Sequence, residues 1–573
     1  MIVFKKITVY NFRLAIFLSK FTIIKYFKVN FSEKQKFILY SLTKNSIFQI
    51  DNTKNKINDF SIYLNDKKNV VSKCFKLYSG REVFIKISNL IKKKFSENSP
   101  LQIYLYERII DNYISYYTPL QHWSSKYSIK EKIYYLSFDI SDIFLPKIYN
   151  IQKVIIPINL NIIFNFLLKK INFKKTNNLK SAKISLKDYN YKVGFLVYKS
   201  LQYGNLYNKD YFYSKKKNSL FHKSKIIHFF YSTNILNKKF NNFFLLKSEN
   251  SLTLFFKYYF ANIFYIRNVL DIFSLFFYIK FIIDTKSYLD ILKQYKSLKL
   301  FIIDNETQAP KSLLLALKKL NIKIISLEER SITKYNFPVT FMGDVYFTSS
   351  KYFYKKKFFK VKRIIPIGYP RTDQMIEYKS DGGFILVLGL LCDNNYSNQK
   401  SDLIINWESQ IFFINQIINL CNIYKHEKFV LRFKDLDWIK NIYFSDVREK
   451  ITKTKNLIIN TEPFSTYRLA QKSKLVISFY STIVEEMLFV KKPVLIFDYN
   501  NTCNYIFKKS IRNGNVPFIF CNSFYEMQNK FKKILYNKKF RINLMNRLHK
   551  FMSYTKNVFN TRKILLENLE IFL

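Results

Sequence analysis

The sequence predicts an α/β protein: two successive βαβ domains preceded by a mixed α/β region. Three observations predict it. From Lys192 onward, short apolar runs rich in β-branched residues alternate with amphipathic runs of helical period. Six of the nine glycines (Gly343, Gly368, Gly382, Gly383, Gly389 and Gly514) fall between positions 343 and 514, so tight turns are expected to concentrate there. No repeat of about 20–50 residues is present, which argues against solenoids and propellers.

The elements follow in order. Residues 1–190 read as mixed strands and helices with no clear sequence of elements. KVGFLVY from Lys192, KIIHFFY (Lys225 to Tyr231) and KLFIIDN (Lys299 to Asn305) read as strands, and the helix APKSLLLALKKL (Ala309 to Leu320) follows the last of them. NIKIISLEE, VYFTSS and RIIPIGYP return as strands, the last reaching a Gly-Pro turn. Strand, helix, strand in this rhythm implies a parallel sheet with right-handed crossovers. A second series starts after Asp381 with GFILVLGLL, a helix over LIINWESQIFFINQIINLCNIYK, and KFVLRF. NLIIN, KLVISFY, PVLIFDY and VPFIF supply further strands, and NSFYEMQNKFKKILYN with the helix after it closes the domain. The expected division is 1–190, 191–380 and 381–573, the last two each Rossmann-like.

Composition bounds the function classes. Hydrophobic residues make up 48 % of the 573 and aromatics 18 %, so burial can offset ordering entropy and global disorder is excluded. The formal charge of +55 can attract nucleic acid, anionic lipid or phosphorylated substrates and does not choose among them. The excess is mostly Lys and travels with abundant Ile, Asn, Phe and Tyr, as codon-biased usage does. No helix-turn-helix, zinc-finger or RNP-like aromatic pattern accompanies it. Cys74, Cys392, Cys421, Cys503 and Cys521 form no CxxC, and the five histidines form no HExxH, so the thiols read as small core residues in a reducing compartment. Lys and Arg break every apolar run of the N-terminus before a signal core or a membrane span develops. Val269 to Ile283 carries Asp271 and Lys280 and is short for a span. It reads as a core helix or, alternatively, an interfacial membrane contact.

The stretch VISFYSTIVEEMLFVKKPVLIFDY, Val476 to Tyr499, carries the chemistry. In an open parallel sheet the ligand crevice lies at the carboxyl ends of the strands. Ser481 and Thr482 stand at such an end, where a hydroxyl either caps the following helix or receives a phosphate oxygen. Glu485 and Glu486 are acids favoured near a helix N-terminus, spaced so that one faces the crevice and the other solvent. In VLRFKD, Arg432 and Lys434 alternate onto one strand face, either as exposed charge or over a diphosphate.

Strand, STIVEEM, then KKPVLIFD resembles the donor-binding motif of GT-B glycosyltransferases, especially those of bacterial surface and capsular polysaccharides. Ser481, Thr482 and Glu486 match that motif, as do Lys492 and Pro493, while Lys491 stands where the pattern usually has Gly. IPIGYPRTDQM is similar to the Gly-x-Pro-Arg-x-Asp element of the same families and of the related CDP-glycerol glycerophosphotransferases, through Gly368, Pro370, Arg371 and Asp373. The likeness covers roughly residues 295 to 525. It departs at SLEERS, where these families commonly have Gln-His-Gly, and after VLRFKD, where their histidine is absent.

The resemblance implies a metal-independent transferase that needs no cofactor and takes a nucleotide-sugar as substrate. Arg371, Arg432, Lys434, Ser481, Thr482 and Glu486 would bind the donor. Inverting transfer needs a base for the acceptor hydroxyl, and Glu329, Asp304 and Glu306 are the candidates. The Asp435–Asp437 pair reads as helix-opening acids rather than as a metal site. The expected partners are a nucleotide-sugar donor and a glycan or lipid-linked acceptor, at a cytoplasmic location. Contact with the inner face of an anionic membrane is left open, and nucleic acid is not expected. Two rivals stand beside this reading. One is a CDP-glycerol-type polyolphosphate transferase, and the other a non-catalytic basic protein that binds nucleic acid or membrane.

Overall fold

The computed structural model describes residues 2–8, 24–30, 60–112, 120, 133–137, 140–145, 147–148, 151–155, 191–197, 225–230, 243–245, 252–303, 309–328, 340–349, 358–369, 372, 383–389, 407–433, 445–462, 465–479, 481, 483–498, 518–552 and 561–571. Three parallel sheets organise them. The first has β1 (Ile2–Thr8), β2 (Ile24–Asn30), β3 (Ile133–Ser137) and β4 (Ile151–Ile155) in the order β2-β1-β3-β4. The sequence reading gave this region no order, because the β1–β3 pairing that joins its two halves spans the chain from Thr8 to Ile133 and leaves no local trace.

The second sheet contains β5 (Val193–Val197), β6 (Ile226–Phe230), β7 (Phe243–Leu245), β8 (Leu300–Ile303), β9 (Lys323–Leu327), β10 (Phe341–Thr348) and β11 (Phe359–Pro366). Its order is β11-β10-β9-β8-β5-β6-β7. The third contains β12 (Ile385–Leu388), β13 (Phe429–Arg432), β14 (Leu457–Ile459), β15 (Leu475–Ser478), β16 (Val494–Phe497) and β17 (Phe520–Cys521), ordered β14-β13-β12-β15-β16-β17. In both, the chain starts at an inner strand, moves outward through two more, then crosses back to the other side of the first. This is the doubly wound, Rossmann-like order, and it leaves a topological switch point between β5 and β8 and another between β12 and β15. Two such domains in tandem, with an α/β region ahead of them, make the GT-B class of architecture expected from the sequence.

Alternation along the strands assigns the two faces of the seven-stranded sheet. Leu196, Phe301, Ile303 and Ile324 join one core, while Val193, Phe195, Leu300, Ile302 and Ile325 join another. Both faces are covered, which is why these strands read as continuous apolar runs. The first face is packed by α1 (Phe60–Ser79), α2 (Glu82–Phe95), α3 (Ser99–Asn112), α4 (Leu252–Asn262), α5 (Val269–Leu292) and α6 (Lys311–Lys319). Helices of the first 190 residues therefore share one core with the seven-stranded sheet. Charge pairs fasten them: Arg81 to Asp271 at 2.7 Å, Glu97 to Lys318 at 2.6 Å, and Glu107 to the fully enclosed Lys311 at 3.0 Å.

The interfacial alternative for Val269 to Ile283 does not hold. Leu275, Tyr278, Ile279, Phe281 and Ile282 of α5 are all buried, so the segment is a core helix. Among the described residues no helix is long and apolar enough to cross a membrane. Cys74, Cys421 and Cys521 are buried free thiols, each pushed up to about 12 by burial; Cys392 and Cys503 lie outside the described residues.

The six-stranded sheet has its own core with α7 (Trp407–Ile423), α8 (Ser445–Lys453), α9 (Thr466–Lys472), α10 (Ile483–Phe489), α11 (Phe524–Tyr536) and α12 (Lys538–Met552). The last helix, α13 (Thr561–Ile571), departs from the expected 381–573 division. Its Leu565 and Leu569 are buried with Val193, Leu300 and Ile325, on the second face of the seven-stranded sheet. That face would otherwise leave a row of apolar side chains in water, which is the physical reason the chain returns to it.

Candidate functional site

The switch point of the six-stranded sheet is built by β12 and β15, which pair with Leu388 opposite Ser478. Beyond β15 the chain passes Ser481 and enters α10. The Ser481 hydroxyl accepts the Ile483 N–H at 3.4 Å, and its carbonyl accepts the Val484 N–H at 3.2 Å. Ser481 thus serves as a helix-end acceptor, the capping use foreseen for it. All seven residues of α10 are buried, including Glu485 (3 % exposed) and Glu486 (4 %). The expectation that one glutamate faces solvent is therefore corrected, because both side chains are drawn into the fold.

Part of that cover is the other sequence motif. Tyr369 follows Gly368 at the end of the seven-stranded domain, and its Oη donates to Glu485 Oε2 at 3.3 Å. Its ring meets Phe489 edge-on at 5.3 Å. Gly368 has φ +89°, and a Cβ there would lie 2.7 Å from the Phe489 ring and 3.3 Å from the Thr561 hydroxyl of α13. Only glycine satisfies both the backbone and the space. Thr372 closes the turn by donating its hydroxyl to the Tyr369 carbonyl at 2.7 Å. Two segments more than a hundred residues apart in the chain are in this way brought into contact.

At its far end α10 stops with a Schellman pair: Lys492 N–H to the Met487 carbonyl at 2.8 Å and Lys491 N–H to the Leu488 carbonyl at 3.2 Å. Lys491 sits at φ +61°, the left-handed position, so the turn forms although Lys replaces the usual Gly. Lys491→Gly is expected to raise stability by about 0.5–1 kcal/mol, read as a rise in denaturant midpoint at unchanged m. Lys492 Nζ donates to the Gln471 carbonyl at 2.7 Å near the end of α9, and burial foremost, with Arg541 nearby, brings its pKa down to about 8. This Lys-Pro turn leads into the amino end of β16, opposite the ligand edge, so Lys492 and Pro493 are scaffold. His549 of α12 holds the same helix end, its Nδ1–H donating to the Phe489 carbonyl at 2.6 Å. Burial chiefly lowers the imidazole pKa, against the pull of that hydrogen bond.

Arg432 ends β13, next to β12, and is buried rather than displayed: it is 6 % exposed, with Nη1 donating to the Asn460 carbonyl at 3.5 Å. For Arg432 the exposed-charge alternative is thereby corrected. At the end of β12, Gly389 lets the Phe433 ring lie where a Cβ would be only 2.4 Å away. In SLEERS, Glu328 receives the Ser349 N–H at 2.6 Å, tying β9 to the end of β10. Asp304, Glu306, Glu329, Arg371, Lys434, Thr482 and the Asp435–Asp437 pair lie outside the described residues.

Sequence reasoning missed three groups. Tyr369 gave no signal beyond its place inside the Gly-x-Pro-Arg element. Ser478 ends β15 fully buried, and its hydroxyl has no hydrogen-bond partner among the described residues. Asp498 directly follows β16 at 1 % exposure. An acid closing an otherwise apolar strand, as in PVLIFDY, was the available signal for Asp498.

No family model and no curated protein matches the sequence. Solved structures do match in part. A UDP-GlcNAc 2-epimerase from Neisseria meningitidis bound to UDP-GlcNAc is 12 % identical, with a TM-score of 0.40 over 66 % of this chain and 100 % of that one. The wall teichoic acid polymerase TagF is 14 % identical, with a TM-score of 0.37 over 72 % of this chain and 98 % of that one. MurG from Acinetobacter baumannii is 12 % identical, with a TM-score of 0.38 over 66 % and 99 %. Overlap this loose decides nothing about activity.

Proposed function

We propose that the protein is a glycosyltransferase of surface-polysaccharide assembly, moving a sugar from a nucleotide-sugar to a glycan or lipid-linked acceptor. The observation that carries this reading is the Tyr369–Glu485 contact, which joins the two motif segments over α10 beside the β12/β15 switch point. Ser481 and Thr482 receive phosphate oxygens of the donor at the carboxyl edge of β15, and Glu486 accepts hydrogen bonds from the ribose hydroxyls. Arg371, Arg432 and Lys434 offset the charge that develops on the leaving diphosphate. The acceptor hydroxyl attacks the anomeric carbon, its proton passes to a carboxylate, and the nucleoside diphosphate departs. We assign that carboxylate to Asp304 or Glu306, next in the chain after β8 at the other switch point, ahead of Glu329 after β9.

Calorimetry with UDP, CMP, CDP and GDP tests the reading. One nucleotide is expected to bind selectively, and Glu486→Gln, which keeps the side-chain shape, to weaken it about 10- to 100-fold at unchanged melting temperature. Binding of CDP alone would move the assignment to a polyolphosphate transferase. Equal binding by Glu486→Gln would remove the donor site from this helix.

A further inference from the structure

We propose that the solvent face of α4, with the 3-10 turn Ile263–Tyr265 behind it, docks on an anionic lipid bilayer. Phe256, Phe260 and Phe264 recur at intervals of four and are 50 %, 60 % and 84 % exposed. The first two rings stack at 6.0 Å, and the exposed Ile263 lies on the same stretch of chain. Apolar residues scattered singly on a surface need no explanation, but a run of phenylalanines along one short element marks an interaction face. The other side of α4 is already used. Phe255 and Tyr259 each stack on Phe276 of α5 at 5.1 Å, and Tyr258 is buried.

Charge decides the partner. Lys257 and Arg267 are exposed on the same stretch of chain. From α2, the ammonium groups of Lys86 and Lys94 sit 5.1 Å and 4.6 Å over the rings of Tyr265 and Tyr258. The acids nearby are already engaged: Glu82 pairs with Arg267 at 3.0 Å, and Asp271 is buried against Arg81. Phenylalanines bordered by long cationic side chains match a bilayer interface, with rings entering the acyl boundary and ammonium groups among anionic headgroups. An acidic protein would satisfy the cations and leave the phenylalanines unpaid.

The location fits a membrane-borne substrate. After Leu292, α5 leads through a short turn into β8, so it runs back across the sheet and its N-terminus lies toward the carboxyl edge. The 3-10 turn precedes that N-terminus, which brings the aromatic face toward the edge where a doubly wound sheet takes its ligand. That this helps a lipid-linked acceptor reach the site rests on the proposed function; the docking itself does not.

The test is co-sedimentation of the full chain with phosphatidylcholine vesicles, alone or with about one third phosphatidylglycerol. The wild type is expected to bind the mixed vesicles roughly tenfold or more tightly than the neutral ones. Phe256→Ser/Phe260→Ser/Phe264→Ser should weaken that binding by at least about tenfold with an unchanged melting temperature, since all three rings are exposed. Phe264→Trp should add blue-shifted emission only when mixed vesicles are present. Absence of vesicle binding by the wild type, or equal binding by the triple variant, would overturn the proposal. So would sedimentation equilibrium in which the triple substitution turns a dimer into a monomer, which would make this face a contact between copies. No nucleotide enters these assays, so their failure is separable from that of the transferase reading.

Discussion

Gly368→Ala is expected to lower stability by roughly 2–5 kcal/mol and to weaken nucleotide binding, although residue 368 lies outside the six-stranded sheet. The first part of the cost is backbone: a non-glycine residue at φ +89° costs about 1–2 kcal/mol. The rest is space, because the added methyl lies 2.7 Å from the Phe489 ring and overpacking of this kind costs about 1–3 kcal/mol. Phe489 is 1 % exposed and cannot swing into solvent; it yields only if α10 shifts. Such a shift moves Glu485 and Glu486, so the stability loss and the binding loss should appear together. Gly383→Ala is the control, since a Cβ at that glycine meets nothing within 4 Å. Denaturant midpoints and calorimetry of both variants check this. A Gly368→Ala protein with wild-type nucleotide affinity would uncouple the turn from the site.

Glu107→Ala should be similarly damaging, by about 3–5 kcal/mol, for an electrostatic reason. Lys311 is 2 % exposed, and its ammonium group reaches Glu107 at 3.0 Å, the Thr340 carbonyl at 3.0 Å and the Ala309 carbonyl at 3.1 Å. Removing the carboxylate takes the ion pair away from a buried ammonium group, and frees the Thr340 hydroxyl that also binds Glu107. Glu107→Ala/Lys311→Met should recover most of the loss, because the charge disappears with its partner. The coupling in a double-mutant cycle in urea measures this, and additive losses would show that Glu107 acts through packing instead. Since Glu107 belongs to α3 and Lys311 to α6, the same experiment reports how firmly the N-terminal helices are held to the seven-stranded sheet.

Much of the fold was legible because it rests on local rules. KLFIIDN, KFVLRF, KLVISFY and PVLIFDY are short, apolar along their length and bounded by polar turns, and each contains a central parallel strand covered on both faces. Ser481 as a helix-end acceptor was legible for the same reason, since a hydroxyl and the N–H groups it can satisfy are neighbours in the chain. The four-stranded sheet was not legible: the β1–β3 pairing that joins its two halves spans the chain from Thr8 to Ile133, and it carries no local period. The burial of Arg432 and of both glutamates was hidden as well. Charge predicts exposure on average, whereas the Tyr369 that donates to Glu485 comes from a segment far away in the chain.

Sequence alone determined that this chain alternates strand and helix, where its turns concentrate, and which hydroxyls and acids stand at a strand end, because propensity, alternation and capping act over a few residues. Tertiary structure alone decided the strand order that makes β12/β15 a switch point, the return of α13 to the other domain's sheet, and the seating of Tyr369 on Glu485. It also decided that Lys491 takes a left-handed turn where glycine would be cheaper. Each of these is settled by burying apolar surface between distant segments, a gain that exceeds a local penalty of about 1 kcal/mol and that no short window of sequence contains.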